Sequence, residues 1–237
     1  MSSCKEILQR HRGDFHPVVP FDAGKDKLYP FDFTENNTDL SPEEIVDTER
    51  FAVWINRTLK AHQARYGIGG YGEHRTLYAR SKHFDTAPGG TSAKIISEEP
   101  RRLHLGVDIW GPAGTRVMAP LDGLVHSFAF NNKDSDYGAT LILTHHLDGA
   151  TFHTLYGHLS LNSIKNCIEG TKIRKGEVIA EFGMRFENGN WPPHLHFQLI
   201  EDMQVWKGDY PGVCRFSERQ QWLDNCPDPD LILQMVK

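Results

Sequence analysis

Two histidines stand two residues apart in the stretch WPPHLHFQLI, residues 191–200. The two prolines disfavour helical backbone before them, and the apolar residues that follow are typical of a strand. Side chains alternate between the faces of a strand, so His194, His196 and Gln198 are expected on one face. A helix would point residues two apart in nearly opposite directions. One histidine could therefore bind a metal while its neighbour faces a substrate.

A second stretch, RRLHLGVDIWGP at residues 101–112, adds a histidine and a carboxylate. In extended backbone His104, Gly106 and Asp108 share a face, and the glycine is expected to leave room for an ion and let the backbone bend. Together with His196, these side chains give three ligands of the kind found in catalytic zinc sites, where water takes the fourth position. Structural zinc sites more often use four protein ligands with cysteine prominent, whereas the four cysteines here are scattered.

A third candidate is His158 in LYGHLS, residues 155–160. We expect it to end a strand in which Phe152, Thr154 and Tyr156 share its face, leaving a free imidazole at the edge of a cleft. The chain has 13 histidines, so H-x-x-x-D and H-x-H should each occur by chance about once. The prediction therefore depends on the three stretches taken together.

After about residue 100, the stretches that carry these residues are predicted to be mainly β. Short apolar runs alternate with Gly, Asn and Asp turns, which predicts two strands around the Asp-Gly pair at 122–123. A hairpin is expected about the Asp-Gly pair at 148–149. A further pair of strands is expected on either side of the Lys-Gly pair at 175–176.

Helices are predicted only near the two ends of the chain. Ser41, Pro42 and Glu44 form a helix-start signature. One helix is expected to follow and to end near Gly67, with a buried stripe of residues at helical spacing, namely Ile45, Ala52, Ile55 and Leu59. Near the other end, Ser217 with Gln220 predicts a short helix that ends by Pro227.

These elements define a mainly β fold of antiparallel sheets with an N-terminal helical and extended segment and a short C-terminal helix. The expected division is an N-terminal extension over residues 1–95, a β domain with the candidate site over 96–205, and a tail over 206–237. The glycine-rich stretch at 67–71 is expected to be a loop that could fold over the cleft.

The overall composition excludes some classes of partner. The net charge is −5 and there is no run of Lys or Arg, whereas nucleic-acid binding needs a concentrated basic face. No apolar stretch approaches the roughly 20 residues that cross a bilayer. The N-terminus shows no apolar signal core. We therefore expect neither nucleic acid nor membrane as partner, and a cytoplasmic setting, with action at a bacterial cell envelope still open.

The three pieces HLGVD, YGHLS and HLHF, in this order, resemble the LytM/lysostaphin-type zinc metallopeptidases. The resemblance covers roughly residues 100–200 and implies a barrel-sandwich-like peptidase core. It implies that His104, Asp108 and His196 bind Zn²⁺ and that His158 and His194 are the catalytic residues. It also implies a peptide substrate, from peptidoglycan-type peptides that are glycine-rich or contain D-amino acids.

Other functions remain open on the sequence alone. The chain could be an intracellular hydrolase of another small peptide or amide, or a non-hydrolytic binding module on the same fold. A carrier domain of the biotinyl type is disfavoured, because Lys175 at the expected hairpin lacks a neighbouring methionine. The sequence does not indicate an oligomeric state.

Overall fold

The computed structural model describes residues 3–85 and 99–236 and is built mainly of strands. Eight strands form one sheet, in the order β1 (Leu28–Phe31), β2 (Tyr66–Gly69), β4 (Val107–Trp110), β11 (His194–Ile200), β8 (Ala150–Leu159), β7 (Gly138–Leu147), β6 (Gly123–Asn131) and β9 (Lys172–Ile173). All its neighbouring pairs are antiparallel except β1 with β2. The mainly β, antiparallel prediction is confirmed.

Two short strand pairs complete the β structure. One joins β5 (Arg116–Met118) to β10 (Val178–Glu181), and the other joins β3 (Leu103–His104) to β12 (Val213–Cys214). Strands form on either side of residues 122–123 and of residues 175–176, as predicted. In neither case, however, do the two flanking strands pair with each other. Instead β6 pairs with β7 and β9, and β5 pairs with β10.

The hairpin predicted about residues 148–149 is confirmed. Leu147 pairs with Ala150, so the loop between β7 and β8 has two residues. Asp148 and Gly149 both have positive φ, 47° and 83°, as an Asp-Gly type I′ turn requires. This hairpin sets the register of β8, the strand that carries His158.

The helix predicted from Pro42 is in fact two helices, and it ends early. Ser41 and Glu44 form the predicted capping box at the start of α2 (Pro42–Val46). Asp47 then leaves the helix, and its side chain accepts from two backbone N–H groups of α3 (Thr48–Ala61). This cap favours the start of a new helix over the continuation of α2, because the Asp47 side chain satisfies N–H groups in the first turn of α3 that have no partner within that helix.

Gly67 lies in β2 and does not end a helix, since α3 stops at Ala61. A side-chain carbon at position 67 would lie 2.0 Å from the ring of Phe31. The glycine is therefore needed for packing in the sheet. Most of the predicted loop at 67–71 is likewise strand, because β2 runs through Gly69.

The remaining helices are short. They are α1 (Cys4–Arg10), α4 (Leu161–Ile164), α5 (Arg219–Asn225) and α6 (Asp230–Leu233). The predicted C-terminal helix forms as α5, but Ser217 does not cap it: the residue lies in a preceding 3-10 helix, Phe216–Glu218, and no side-chain cap is made. None of the helices in the described part of the chain could span a bilayer.

The N-terminal region packs directly onto the β domain. Phe31, Phe33, Phe51 and Trp54 form an aromatic cluster with Trp110 of β4. Strand β2 pairs with β4, so residues from before position 85 extend the main sheet. The predicted boundary between 95 and 96 falls outside the described residues, and the threefold division of the chain stays a prediction.

Candidate metal and catalytic site

The predicted strand over residues 194–200 is confirmed as β11, which lies between β4 and β8. His196 is opposite Asp108 on β4 and opposite Gly157 on β8. His194 and His196 are both buried, and Leu195 and Phe197, which alternate with them along the strand, belong to the hydrophobic core. The alternation predicted for this strand therefore places both imidazoles on the face away from the core.

The structure brings His104, Asp108 and His196 together. One ligand atom from each lies within 4.8 Å of the others. Asp108 Oδ1 is 3.1 Å from His196 Nδ1 and 3.3 Å from His104 Nε2. These two ring nitrogens are 3.0 Å apart. Two nitrogens and one carboxylate oxygen converging in this way are a donor set that suits zinc.

Gly106 has a different purpose from the one predicted. His104 and Asp108 lie on separate short strands, and the backbone bends between them as expected. However, a side-chain carbon at Gly106 would lie 2.6 Å from His196 Cε1 and Nε2 and 2.8 Å from the Phe197 carbonyl oxygen. The glycine therefore makes room for the His196 ring, not for an ion.

Hydrogen bonds fix the orientation of both ligand-candidate rings. His104 Nδ1 lies 3.0 Å from the Gly70 carbonyl oxygen, which can only accept, so Nδ1 carries the proton. The Gln198 amide donates to Pro211, which leaves its Oε1 to accept from His196 Nε2 at 2.9 Å. His104 Nε2 and His196 Nδ1 are therefore the nitrogens with free lone pairs. Such partners orient metal-binding histidines and raise their basicity.

His158 and His194 lie beside this group, with ring centroids 4.2 Å apart. His158 Nδ1 donates to the Asn188 carbonyl and His194 Nδ1 to the Pro192 carbonyl, each at 2.8 Å. Nε2 is then the basic nitrogen of both rings. His194 also stacks on Trp110, with centroids 3.9 Å apart. Both rings line the same cavity, so both are placed where a general base can act.

The prediction that His158 shares a face with Phe152, Thr154 and Tyr156 is wrong. Tyr156 packs against Phe197 in the core, whereas His158 lines the cavity. His158 has a left-handed backbone, with φ of 63°, and this breaks the regular alternation of β8. Non-glycine residues seldom adopt this conformation, and such strain clusters at functional sites.

Burial and neighbouring charges set the protonation states of the site. Burial alone would raise the pKa of Asp108, but His104 and Arg75 lower that pKa well below its usual range. Burial, and then Arg75, lowers the pKa of His104 to about 4. Burial likewise lowers the pKa of His194 to about 4 and lowers that of His158 well below its usual value. Neutral imidazoles beside an ionised carboxylate are the forms that bind a divalent cation.

A cavity of about 100 Å³ lies over these side chains. Its wall combines charged residues such as Arg101, Lys133 and Asp209 with aromatic side chains, among them Tyr78, Phe84, Tyr137, Trp191 and Trp206. Tyr78 and Phe84 come from the N-terminal region. Trp206 and Pro211 come from the segment that follows β11. Segments that precede and follow the β domain in the sequence thus both shape the cavity.

Two residues of the site were not predicted to be functional. Strand alternation places Gln198 on the correct face of β11, and that alternation is the sequence signal for its contact with His196. Arg75 carried no such signal, because it lies in an irregular segment 33 residues from the carboxylate it contacts.

His145, buried in β7, bonds to Thr154 and to the Asp122 carbonyl.

Part of the chain is similar to known proteins. Residues 102–207 match the model of Peptidase family M23. The DD-carboxypeptidase/endopeptidase Mpg of Neisseria meningitidis is 37% identical over 97 residues, which cover 41% of this chain and 20% of that protein. The peptidoglycan DD-endopeptidase ShyC of Vibrio cholerae is 28% identical over 110 residues, 43% of this chain and 23% of that protein.

Among solved structures, the catalytic domain of lysostaphin from Staphylococcus simulans is 22% identical, with a TM-score of 0.38. The matched region covers 72% of this chain and 96% of the lysostaphin domain. The chain spans about a fifth of the length of the curated relatives it matches. Residues 102–207, which contain all five predicted site residues, form a domain of peptidase family M23.

Proposed function

We propose that the chain is a zinc-dependent peptidase in which His104, Asp108 and His196 hold the metal. The observation that carries this proposal is the convergence of His104 Nε2, Asp108 Oδ1 and His196 Nδ1, three buried donor atoms within 4.8 Å of one another. The N, N, O donor set and the hydrogen bonds to the outer ring nitrogens fit a catalytic zinc site. A zinc ion there would supply a Lewis acid that polarises a scissile carbonyl and acidifies water.

His158 and His194 are proposed as the catalytic residues. Both are neutral and each presents a basic Nε2 on the wall of the cavity. A neutral imidazole can accept the proton of an attacking water and return it to the leaving amine. Once protonated, it can stabilise the oxyanion through its N–H group. With two such rings side by side, one can perform each task.

The proposed substrate is a peptide of the peptidoglycan type, glycine-rich or containing D-amino acids. Support comes from the matched relatives, whose names include DD-carboxypeptidase/endopeptidase and peptidoglycan DD-endopeptidase. The net charge of −5 gives no reason to expect nucleic acid as a ligand.

The test combines metal content with hydrolysis. The purified protein is loaded with zinc, and zinc per chain is measured by mass spectrometry. It is then incubated with muropeptides, glycine-rich peptides and ordinary L-peptides, and the products are identified by mass spectrometry. We expect one zinc per chain and cleavage in the first or second group.

Two variants control this assay. His196→Ala removes a proposed ligand and should lose both zinc and hydrolysis, whereas His146→Ala changes an exposed histidine of β7 and should keep both. Bound zinc without cleavage of any peptide would favour a non-hydrolytic binding module. Cleavage of L-peptides alone would refute the substrate class, and a wild-type protein that binds no zinc would refute the metal site.

A further inference from the structure

Arg75 is a fully buried cation that contacts the carboxylate of the proposed metal site. Its side chain is 1% exposed. Nη1 donates to Asp108 Oδ2, and Nε donates to Glu73 Oε2 at 2.6 Å. Burial of a guanidinium is unfavourable unless charged and hydrogen-bonding partners compensate it. Here two carboxylates do so, and one of them is Asp108.

The two oxygens of Asp108 have different partners. Oδ1 faces His196 Nδ1 at 3.1 Å and His104 Nε2 at 3.3 Å, whereas Oδ2 accepts from Arg75. A free carboxylate can turn and offer both oxygens to a cation. With Oδ2 bonded to a buried guanidinium, only Oδ1 remains for the metal.

We propose that Arg75 is a positioning residue that restricts Asp108 to one metal-facing oxygen. This keeps the number of protein ligand atoms at three and leaves coordination positions open for water and substrate. Catalytic zinc sites differ from structural ones in having such an open position. The inference rests on the metal site proposed above.

The surroundings of Arg75 hold it in a single position. Glu73, its second partner, is itself held because its Oε1 accepts from the Phe33 backbone N–H at 3.1 Å. The guanidinium lies 5.3 Å from the centroid of the Phe33 ring and 5.8 Å from that of Tyr78. A side-chain carbon at Gly69 would lie 2.7 Å from Nη2. The guanidinium is thus closely enclosed.

Arg75 lies outside residues 102–207, the part that matches the family model. The segment that carries it leads from β2 into the 3-10 helix Thr76–Arg80. A residue supplied by the N-terminal region would thus set how a ligand of the β domain binds its metal. The competing interpretation is that the contact of Arg75 with Asp108 only stabilises the packing of this segment against β4. In that case its loss would lower the stability of the fold without changing how the metal is bound.

The test uses metal binding and the spectrum of cobalt in place of zinc. Co²⁺ in a protein site absorbs visible light more weakly as its coordination number rises. In Arg75→Gln, Asp108 is free to bind through both oxygens, so we expect weaker absorption, and loss of the group that orients the ligand should raise the Zn²⁺ dissociation constant about 10- to 100-fold. Arg75→Lys, which retains the charge and can present one N–H group to Oδ2, should move both values back toward wild type.

Arg80→Gln is the matched control. Arg80 is a partly buried arginine of the same segment and donates to Thr48 Oγ1, with no contact to the proposed ligands. It should lower thermal stability while leaving the Co²⁺ spectrum unchanged. A folded Arg75→Gln protein with wild-type spectrum and Zn²⁺ affinity would overturn the proposal. Equal spectral changes in both variants would also overturn it, because they would reflect general loosening of the segment.

Glu73→Gln provides a second route if Arg75→Gln does not fold. It removes the charge that holds Arg75 while retaining an acceptor for Nε, so a smaller spectral change in the same direction is expected. An unchanged spectrum would count against the proposal. A wild-type protein that binds neither metal would instead refute the proposed function, so the two failures are distinguishable.

Discussion

Asp108 and His196 lie directly opposite each other on adjacent antiparallel strands, with Asp108 Oδ1 3.1 Å from His196 Nδ1. A slip of one residue in this register would turn one of the two side chains to the core face. The pairing of β4 with β11 therefore sets the proposed metal site. The hydrophobic residues that alternate with these two, such as Val107 and Phe197, fix that register by their burial.

The space beside the His196 ring gives a first prediction. Gly106→Ala would put a methyl group 2.6 Å from the ring and 2.8 Å from the Phe197 carbonyl oxygen. Because the backbone cannot easily yield, the ring must move, and we expect Zn²⁺ affinity to fall at least about tenfold. Overpacking should also lower the free energy of unfolding by about 1–3 kcal/mol.

Chelator competition and urea unfolding measure these two quantities. Gly13→Ala makes the same change where no atom lies within 4 Å and should leave metal binding intact. Wild-type Zn²⁺ affinity in Gly106→Ala would show that the position of the His196 ring does not control metal binding.

Gln198 gives a second prediction. Gln198→Met keeps the approximate length of the side chain but removes the acceptor for His196 Nε2. The ring then loses the bond that selects its tautomer, and Zn²⁺ affinity should fall about 10- to 100-fold. The exposed Gln220→Met is the control. Titration with a zinc-sensitive chelator compares the two, and equal affinities would contradict an orienting role for Gln198.

The proposed catalytic role of His158 can be separated from metal binding. Asparagine tolerates left-handed backbone better than most residues, so His158→Asn should preserve the φ of 63° found there. We expect zinc per chain to be unchanged and kcat to fall about 100-fold or more. His146→Asn, at an exposed position, should match wild type. Loss of zinc together with retained turnover would show that the roles are assigned wrongly.

His145 predicts how stability depends on pH. Burial lowers its pKa to about 4 in the folded protein, from 6.5. Between these values the unfolded chain binds a proton that the folded protein does not, so stability falls as pH is lowered from 6.5 to about 4 and changes no further below that. The slope contributed is at most about 1.4 kcal/mol per pH unit.

Urea unfolding of the metal-free protein at several pH values in this range tests the prediction. Other buried histidines add to the total slope, so the comparison is with His145→Gln, which can bond to the same neighbours without titrating. We expect a shallower dependence in the variant. The same dependence in both proteins would mean that His145 is protonated in the folded state.

The local features that sequence predicted correctly depend on residues close together in the chain. The Asp-Gly turn at 148–149 and the alternation of His194, His196 and Gln198 follow from backbone geometry alone. The capping box of Ser41 and Glu44 is equally local. The errors arose where local signals compete: Asp47 caps a second helix inside a continuous helical pattern, and a left-handed residue at 158 reverses the face of a strand.

The mainly β class, the strand face that carries the two imidazoles, and the order of the three pieces that resemble a known family can all be predicted from the sequence alone. Three features become visible only in the folded chain: β4 lies beside β11, Gly106 accommodates a ring, and Arg75 and Gln198 contact the proposed ligands. They depend on strand pairing and side-chain packing, which join residues far apart in the chain. Which partners meet depends on how the whole hydrophobic core closes, and no short stretch of sequence encodes that.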